Sequence, residues 1–254
     1  MNDKQPIKGV IYSMIRARDI AQMIDHSMVR PELTTDQIRE GCRIAKKYGT
    51  ITVSVRPSDV KIAVEELQGS GVKVGSIVGF PHGSSTTETK VFEARQAISE
   101  GAVELDMVLN IGRLLSGDFD YVERDIRAVV EVAHEKKALV KVILENCFLS
   151  EALKEMACQI CERAGADFVK TSTAFGPGGA TMDDLLLMRK ACSSKVQVKA
   201  AGGVRTLGAA IAVRRIGVAR FGATATARIM EDAIQREKEG TLEATKDSPL
   251  GSEY

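Results

Sequence analysis

The sequence predicts an α/β protein of the (β/α)8 barrel type, and three observations carry the prediction. Short segments rich in Val and Ile alternate with segments of helical periodicity along nearly the whole chain. Strands of that kind belong to a parallel sheet covered by helices. The length, 254 residues, matches the ~250 that eight strand–helix units need to close a TIM barrel. An open doubly wound sheet is the rival. It usually carries a glycine fingerprint after its first strand, whereas "DHSMVRPEL" stands there with no glycine.

An N-terminal helix, "YSMIRARDIAQM", lies outside the repeat. The first strand, near "MIDHS" at residues 23–27, is weak by pattern. "TTDQIREGCRIAKKYG" has helical spacing with a cap at Thr34 or Thr35. The strand "ITVSV" follows, then a helix after Pro57 and Ser58 through "DVKIAVEELQG". Next come the strand "VKVGSIVGF", the helix "TETKVFEARQAISEG", the strand "VELDMVLN" and the helix "DYVERDIRAVVEVAHEKK". The strand "ALVKVILE", the helix "SEALKEMACQICERAG", the strand "DFVKTS" and the helix "TMDDLLLMRKACS" continue the alternation. "VQVKAAG", "TLGAAIAVRRIG", "ARFGAT" and "ARIMEDAIQREKEG" close it. No linker interrupts the pattern, so residues 1–254 read as one barrel domain, with 241–254 a flexible tail lacking periodicity.

Composition narrows the function. Apolar residues are 44% and charged residues 27%, which suits a globule with a full core. A formal net charge of +1 without a long basic run argues against nucleic acid, and aromatics at 4% with no Trp argue against a base-stacking platform. No apolar run approaches the ~18 residues of a membrane span. The opening "MNDKQPIKGV" lacks the pattern of a signal peptide. Five cysteines do not make a disulfide framework and fit a reduced cytoplasmic setting. Cys158 and Cys161 form a CxxC, but no second pair or histidine pair completes a metal site. They read as small apolar residues on the inner face of a helix.

The chemistry is in the lysines. Active sites of such barrels lie at the C-terminal ends of the strands. Side chains alternate along a strand, so Phe168, Lys170 and Ser172 share one face of "DFVKTST". If that face is the lumen, Lys170 is an amine in a mostly apolar space. The next strand carries Lys199, and neighbouring strands lie ~4.8 Å apart. Desolvation and the like charge together make one of the two lose its proton more easily. A neutral lysine attacks carbonyls, which is the requirement of a Schiff-base enzyme. Asp106, among apolar residues in "VELDMVLNIG", is placed to hold Lys199 as an ammonium or to relay protons. Lys141, in "LVKVILEN", reads as a structural ion pair with Glu145.

Two glycine-bearing turns suit an anion. Gly202 and Gly203 end the seventh strand with Arg205 beside them, and Gly222, Ala223 and Thr224 precede the last helix. Helix N-termini favour anions, and the loops after strands 7 and 8 are the usual phosphate cradle of barrels. "STAFGPGGAT" adds a third flexible loop.

With these segments in view, the chain resembles the deoxyribose-phosphate aldolase family of class I aldolases. The matching stretches include "IDHS", "GFPHG", "ETKVFEA", "ELDMVLNIG", "KVILEN", "AGADFVKTSTAFGPGGAT", "VKAAGGVRT" and "RFGAT". The resemblance implies reversible cleavage of 2-deoxy-D-ribose 5-phosphate to acetaldehyde and D-glyceraldehyde 3-phosphate, with no metal or other cofactor. It implies an imine on Lys170, a pKa-depressing role for Lys199 and a proton relay through Asp106. Asp25, Ser27 and Thr171 would contact the sugar. Ala174, Gly202, Gly203, Arg205, Gly222 and Thr224 would hold the phosphate, and Tyr254 would assist proton transfer as a terminal tyrosine does in some members.

The chain departs from the family pattern at several places. Ser27 stands for threonine, Ser54 for cysteine and Ala174 for glycine; Arg56 and Pro57 follow the second strand; Ala225 lacks a hydroxyl that the last phosphate loop often carries. A same-mechanism aldolase acting on another sugar or aldehyde is therefore the alternative. A non-enzymatic phosphosugar-binding barrel is the alternative of another class. Barrels often pair through their outer helices, which leaves a homo-oligomer open.

Overall fold

The computed structural model describes residues 15–251. Eight strands close into a barrel in sequence order: β1 (Ile24–Met28), β2 (Thr52–Val55), β3 (Lys73–Val78), β4 (Glu104–Val108), β5 (Leu139–Ile143), β6 (Phe168–Lys170), β7 (Gln197–Ala200) and β8 (Arg220–Ala223). Every neighbouring pair is parallel, and β8 closes on β1 through Asp25 opposite Gly222. The weakly patterned first strand is thus a full member of the sheet. Its alternation is blurred because Asp25, His26 and Ser27 each have a polar task.

The helices are α1 (Ala17–Ala21), α2 (Thr35–Tyr48), α3 (Val60–Leu67), α4 (Thr87–Ser99), α5 (Ile111–Leu115), α6 (Phe119–Glu135), α7 (Glu151–Ala164), α8 (Met182–Ala191), α9 (Leu207–Arg215) and α10 (Thr226–Lys238). α5 was not expected: it is one turn, capped by Asn110, whose Oδ1 accepts from Arg113 N at 3.1 Å. One turn is too short to show a period. At the start of α2, Thr34 rather than Thr35 is the cap. Its Oγ1 accepts from Gln37 N at 3.3 Å while Gln37 Oε1 accepts from Thr34 N at 2.8 Å, a reciprocal capping box. Gly49 ends α2 in the left-handed conformation, φ 64°, which glycine adopts at little cost.

The apolar core lies between sheet and helices. Leu105 and Met107 of β4 join Ile126 and Val129 of α6 in it, all fully buried. Cys158 and Cys161 of α7 are buried there too, with Cys192 close by, which suits the packing role read for them. His26 points outward from β1. Its Nδ1 lies 2.8 Å from Thr226 Oγ1 at the start of α10, and burial pushes the imidazole down to about 4. No helix among the described residues is long and apolar enough to cross a membrane.

The C-terminal segment is pinned to the barrel as far as it is described. After a short turn at Leu242–Ala244, Ser248 Oγ lies 2.6 Å from Thr206 Oγ1 at the cap of α9. Asp247 pairs with Arg215, Leu250 packs on the core, and Gly251 N donates to Gly203 O at 2.9 Å. A free tail was the expectation for 241–254. The segment lacks periodicity because it docks through single contacts rather than along an amphipathic face. Tyr254 lies outside the described residues.

Candidate active site

At the C-terminal mouth of the barrel a cavity of about 160 Å³ opens. Asp25, Ser27, Asp106, Lys170, Lys199 and Gly222 line it from the strands, and Ala174, Gly202, Gly203, Arg205 and Thr224 from the loops. The strand register explains the convergence. Lys170 stands opposite Lys199 and Asp106 opposite Lys141 across adjacent strands, and all four turn inward. Asp106 is the hub: its Oδ2 accepts from Lys170 Nζ and from Lys199 Nζ, each at 2.7 Å, and its Oδ1 from Lys141 Nζ at 3.0 Å.

A second carboxylate bridges two of these cations. Asp25 Oδ2 lies 2.5 Å from Lys199 Nζ and 3.4 Å from Lys141 Nζ, and its Oδ1 is 2.9 Å from Arg220 Nη1. One layer deeper, Glu104 is 2.6 Å from Lys141 Nζ and 3.4 Å from Arg220 Nη2. Thr52 Oγ1 donates to Glu104 at 3.1 Å. The lumen is therefore filled by a lattice of charges where branched apolar side chains usually sit.

This lattice corrects the expected Lys141–Glu145 pair. Lys141 stays in the lumen with Asp25, Glu104 and Asp106. Beyond β5 the chain turns at Glu145, whose φ of 56° is left-handed, and carries that carboxylate to the next loop. There it accepts from Thr173 N at 3.2 and 3.3 Å and from the Thr173 hydroxyl.

Burial is the foremost influence on Lys170, which is 8% exposed. It pushes the amine down; Asp106 pulls it back up, Lys199 pushes it down again, and the balance is about 8. Burial alone would raise Asp25, but Lys141, Lys199 and Arg220 together hold it down at about 2. Asp106 is likewise driven up by burial and brought well below the usual carboxylate range by Lys141, Lys170 and Lys199.

Thr171 is placed elsewhere than the resemblance implied. It is fully buried and outside the cavity lining; its Oγ1 accepts from Ala201 N at 2.9 Å and donates to Ala201 O at 3.1 Å. Since Lys170 faces inward, its neighbour faces away and stitches the end of β6 to β7. Ser172 is buried outside the lining as well, because β6 ends at Lys170 and the alternation stops there. Thr173 and Ala174 reach the rim instead. Arg56 does not line the cavity: it braces the loop after β1 through the carbonyls of Pro31 at 2.8 Å and Leu33 at 3.0 Å.

On the anion side, Gly202 and Gly203 have φ of 78° and 101°. A Cβ on Gly203 would come within 2.8 Å of Gly251 O, so the docked C-terminal segment itself demands glycine there. Ala225 occupies the cap of α10 without a side-chain hydrogen bond, so the first amide groups of that helix are not capped by it. Sequence reasoning missed Glu104, Arg220 and Thr173. The first two were within reach of the period-2 rule: Glu104 shares a face with Asp106, and Arg220 with Gly222.

Fold and cavity together define an enzyme barrel with its site at the strand C-termini and a buried amine–carboxylate cluster at its centre. The family model for "DeoC/LacD family aldolase" matches residues 19–224. A deoxyribose-phosphate aldolase of Thermococcus gammatolerans is 52% identical over 221 residues, 86% of this chain and 98% of that protein. One of Clostridium perfringens is 48% identical over 217 residues, covering 85% and 96%. Among solved structures, the tetrameric deoxyribose phosphate aldolase of Aeropyrum pernix superposes with a TM-score of 0.79 at 29% identity, covering 85% of this chain and 91% of that one. The chain belongs to the DeoC/LacD family of aldolases.

Proposed function

We propose that this chain is a class I aldolase that reversibly cleaves 2-deoxy-D-ribose 5-phosphate to acetaldehyde and D-glyceraldehyde 3-phosphate. The observation that carries the reading is the Lys170 amine, buried, lowered to about 8, and 2.7 Å from the carboxylate it shares with Lys199. Neutral Lys170 adds to C1 of the open-chain sugar. Lys199 gives a proton to the carbinolamine hydroxyl, which leaves as water, and an iminium ion remains. The iminium is the electron sink, so no metal is needed. The C2–C3 bond breaks toward it, the C3 hydroxyl returns its proton to Lys199, and D-glyceraldehyde 3-phosphate departs. Lys199 then protonates the enamine at C2, and water releases acetaldehyde and restores both lysines. Asp106 keeps the two nitrogens in place throughout.

Asp25 and Ser27 contact the sugar hydroxyls in this reading. The phosphate rests against Ala174 and on the backbone amides around Gly202, Gly203, Gly222 and Thr224, with Arg205 supplying charge. Tyr254 is retained as a proton-transfer residue on the resemblance alone. A cytoplasmic, homo-oligomeric enzyme belongs to the same reading, supported by unpaired cysteines and by the tetramer of the Aeropyrum pernix relative. The test compares retro-aldol rates on 2-deoxyribose 5-phosphate and on free 2-deoxyribose. The ester is expected to be favoured about 100-fold or more in kcat/KM, as two hydrogen bonds to a charged group would give. Equal turnover of the free sugar would point to another substrate.

A further inference from the structure

The lumen holds three carboxylates in contact with cations, Asp25, Glu104 and Asp106, and four cations, Lys141, Lys170, Lys199 and Arg220. Without Lys170 the signs balance, three against three. A proton on Lys170 leaves one positive charge over, in a place nearly closed to water. Glu104 and Arg220 do not line the cavity. They sit two residues before Asp106 on β4 and before Gly222 on β8, tied to each other at 3.4 Å.

We propose that Glu104 and Arg220 are positioning residues that set the protonation of Lys170 by fixing the charge balance of the lattice. The inference rests on the reading of Lys170 as nucleophile. Its route is local. Glu104 holds Lys141 at 2.6 Å, against 3.0 Å from Lys141 to Asp106. Losing the Glu104 charge leaves Lys141 leaning on Asp106, and Asp106 then stabilises a proton on Lys170 less. Arg220 holds Asp25 at 2.9 Å. Losing the Arg220 charge lets Asp25 draw Lys199 more strongly, which frees Asp106 for Lys170. The direct Coulomb effects have the same signs. From the loops, Arg30 and Arg205 face the cavity and Glu145 lies near Lys170, held by Thr173. These three are common to every variant and cancel in the comparison.

The experiment titrates Lys170 without aldol chemistry, by competitive acylation of lysines over a pH series read by peptide mass spectrometry. Glu104→Gln is expected to lower the Lys170 midpoint by about one pH unit and Arg220→Gln to raise it by about one, the order expected of a unit charge in a partly screened interior. The double variant removes one charge of each sign and is expected to return to the wild-type midpoint. Arg220→Lys, which keeps the charge, is expected to stay there. The acid limb of kcat/KM should move with the midpoint in each case. Shifts of the same sign in both single variants, no shift in either, or a double variant that does not return would overturn the proposal. If one single variant does not fold, the other and the double carry the same sign test. A wild-type Lys170 titrating as an ordinary lysine would refute the nucleophile itself. A low wild-type midpoint indifferent to Glu104 and Arg220 would refute this inference alone.

Discussion

At the scale of the residue, Lys170 is a compromise between two opposed demands. Hydrogen bonding to Asp106 at 2.7 Å favours the ammonium; burial and Lys199 favour the amine. Burial is the largest of the lowering influences, ahead of Lys199 and Lys141, so the neighbouring lysines refine a state that desolvation already imposes. The balance near 8 gives a direct pH expectation. The reactive form is the neutral one, so kcat/KM should be level above about pH 8 and fall toward tenfold per unit below it. Measurement between pH 6.5 and 9.5 avoids most of the substrate phosphate's own titration near ~6. A profile flat across that range would show that Lys170 does not gate the reaction.

At the scale of the element, the loops after β5 and β6 act as one piece. Glu145 and Ala174 both adopt left-handed backbone, φ 56° and 71°, conformations that cost a non-glycine residue on the order of 1–2 kcal/mol. The Glu145 carboxylate restrains this geometry by holding the Thr173 amide and hydroxyl. Behind them, Phe80 and Phe175 meet edge to face at 5.2 Å, and Arg30 lies over Phe175. Glu145→Ala leaves the buried Thr173 amide without its acceptor, a loss of about 1–3 kcal/mol. It should raise KM by about tenfold, with a smaller effect on kcat and a lower urea midpoint. Glu145→Gln keeps an acceptor and should fall between wild type and alanine. Unchanged kinetics and stability in the alanine variant would show that the carboxylate restrains nothing.

At the scale of the whole molecule, the barrel was legible because most strands are apolar runs between helices of clear period. β1 was faint for a functional reason: the residues that blur its pattern are Asp25 in the lumen, His26 under α10 and Ser27 at the cavity. Lys170, Lys199 and Asp106 were legible as charges inside apolar strands, and the glycines as turns near an anion site. Other features were hidden because they depend on partners distant in sequence. Glu104 meets Arg220 across 116 positions, and Lys141 chooses its partners through strand register rather than proximity along the chain. The reach of the C-terminal segment to Gly203 follows the same rule.

Borohydride reduction in the presence of 2-deoxyribose 5-phosphate, followed by peptide mass spectrometry, tests the central claim most directly. The expected result is a stable adduct on Lys170 with matching loss of activity, and none in Lys170→Ala. An adduct on Lys199, Lys141 or another lysine, or inactivation without any adduct, would contradict it.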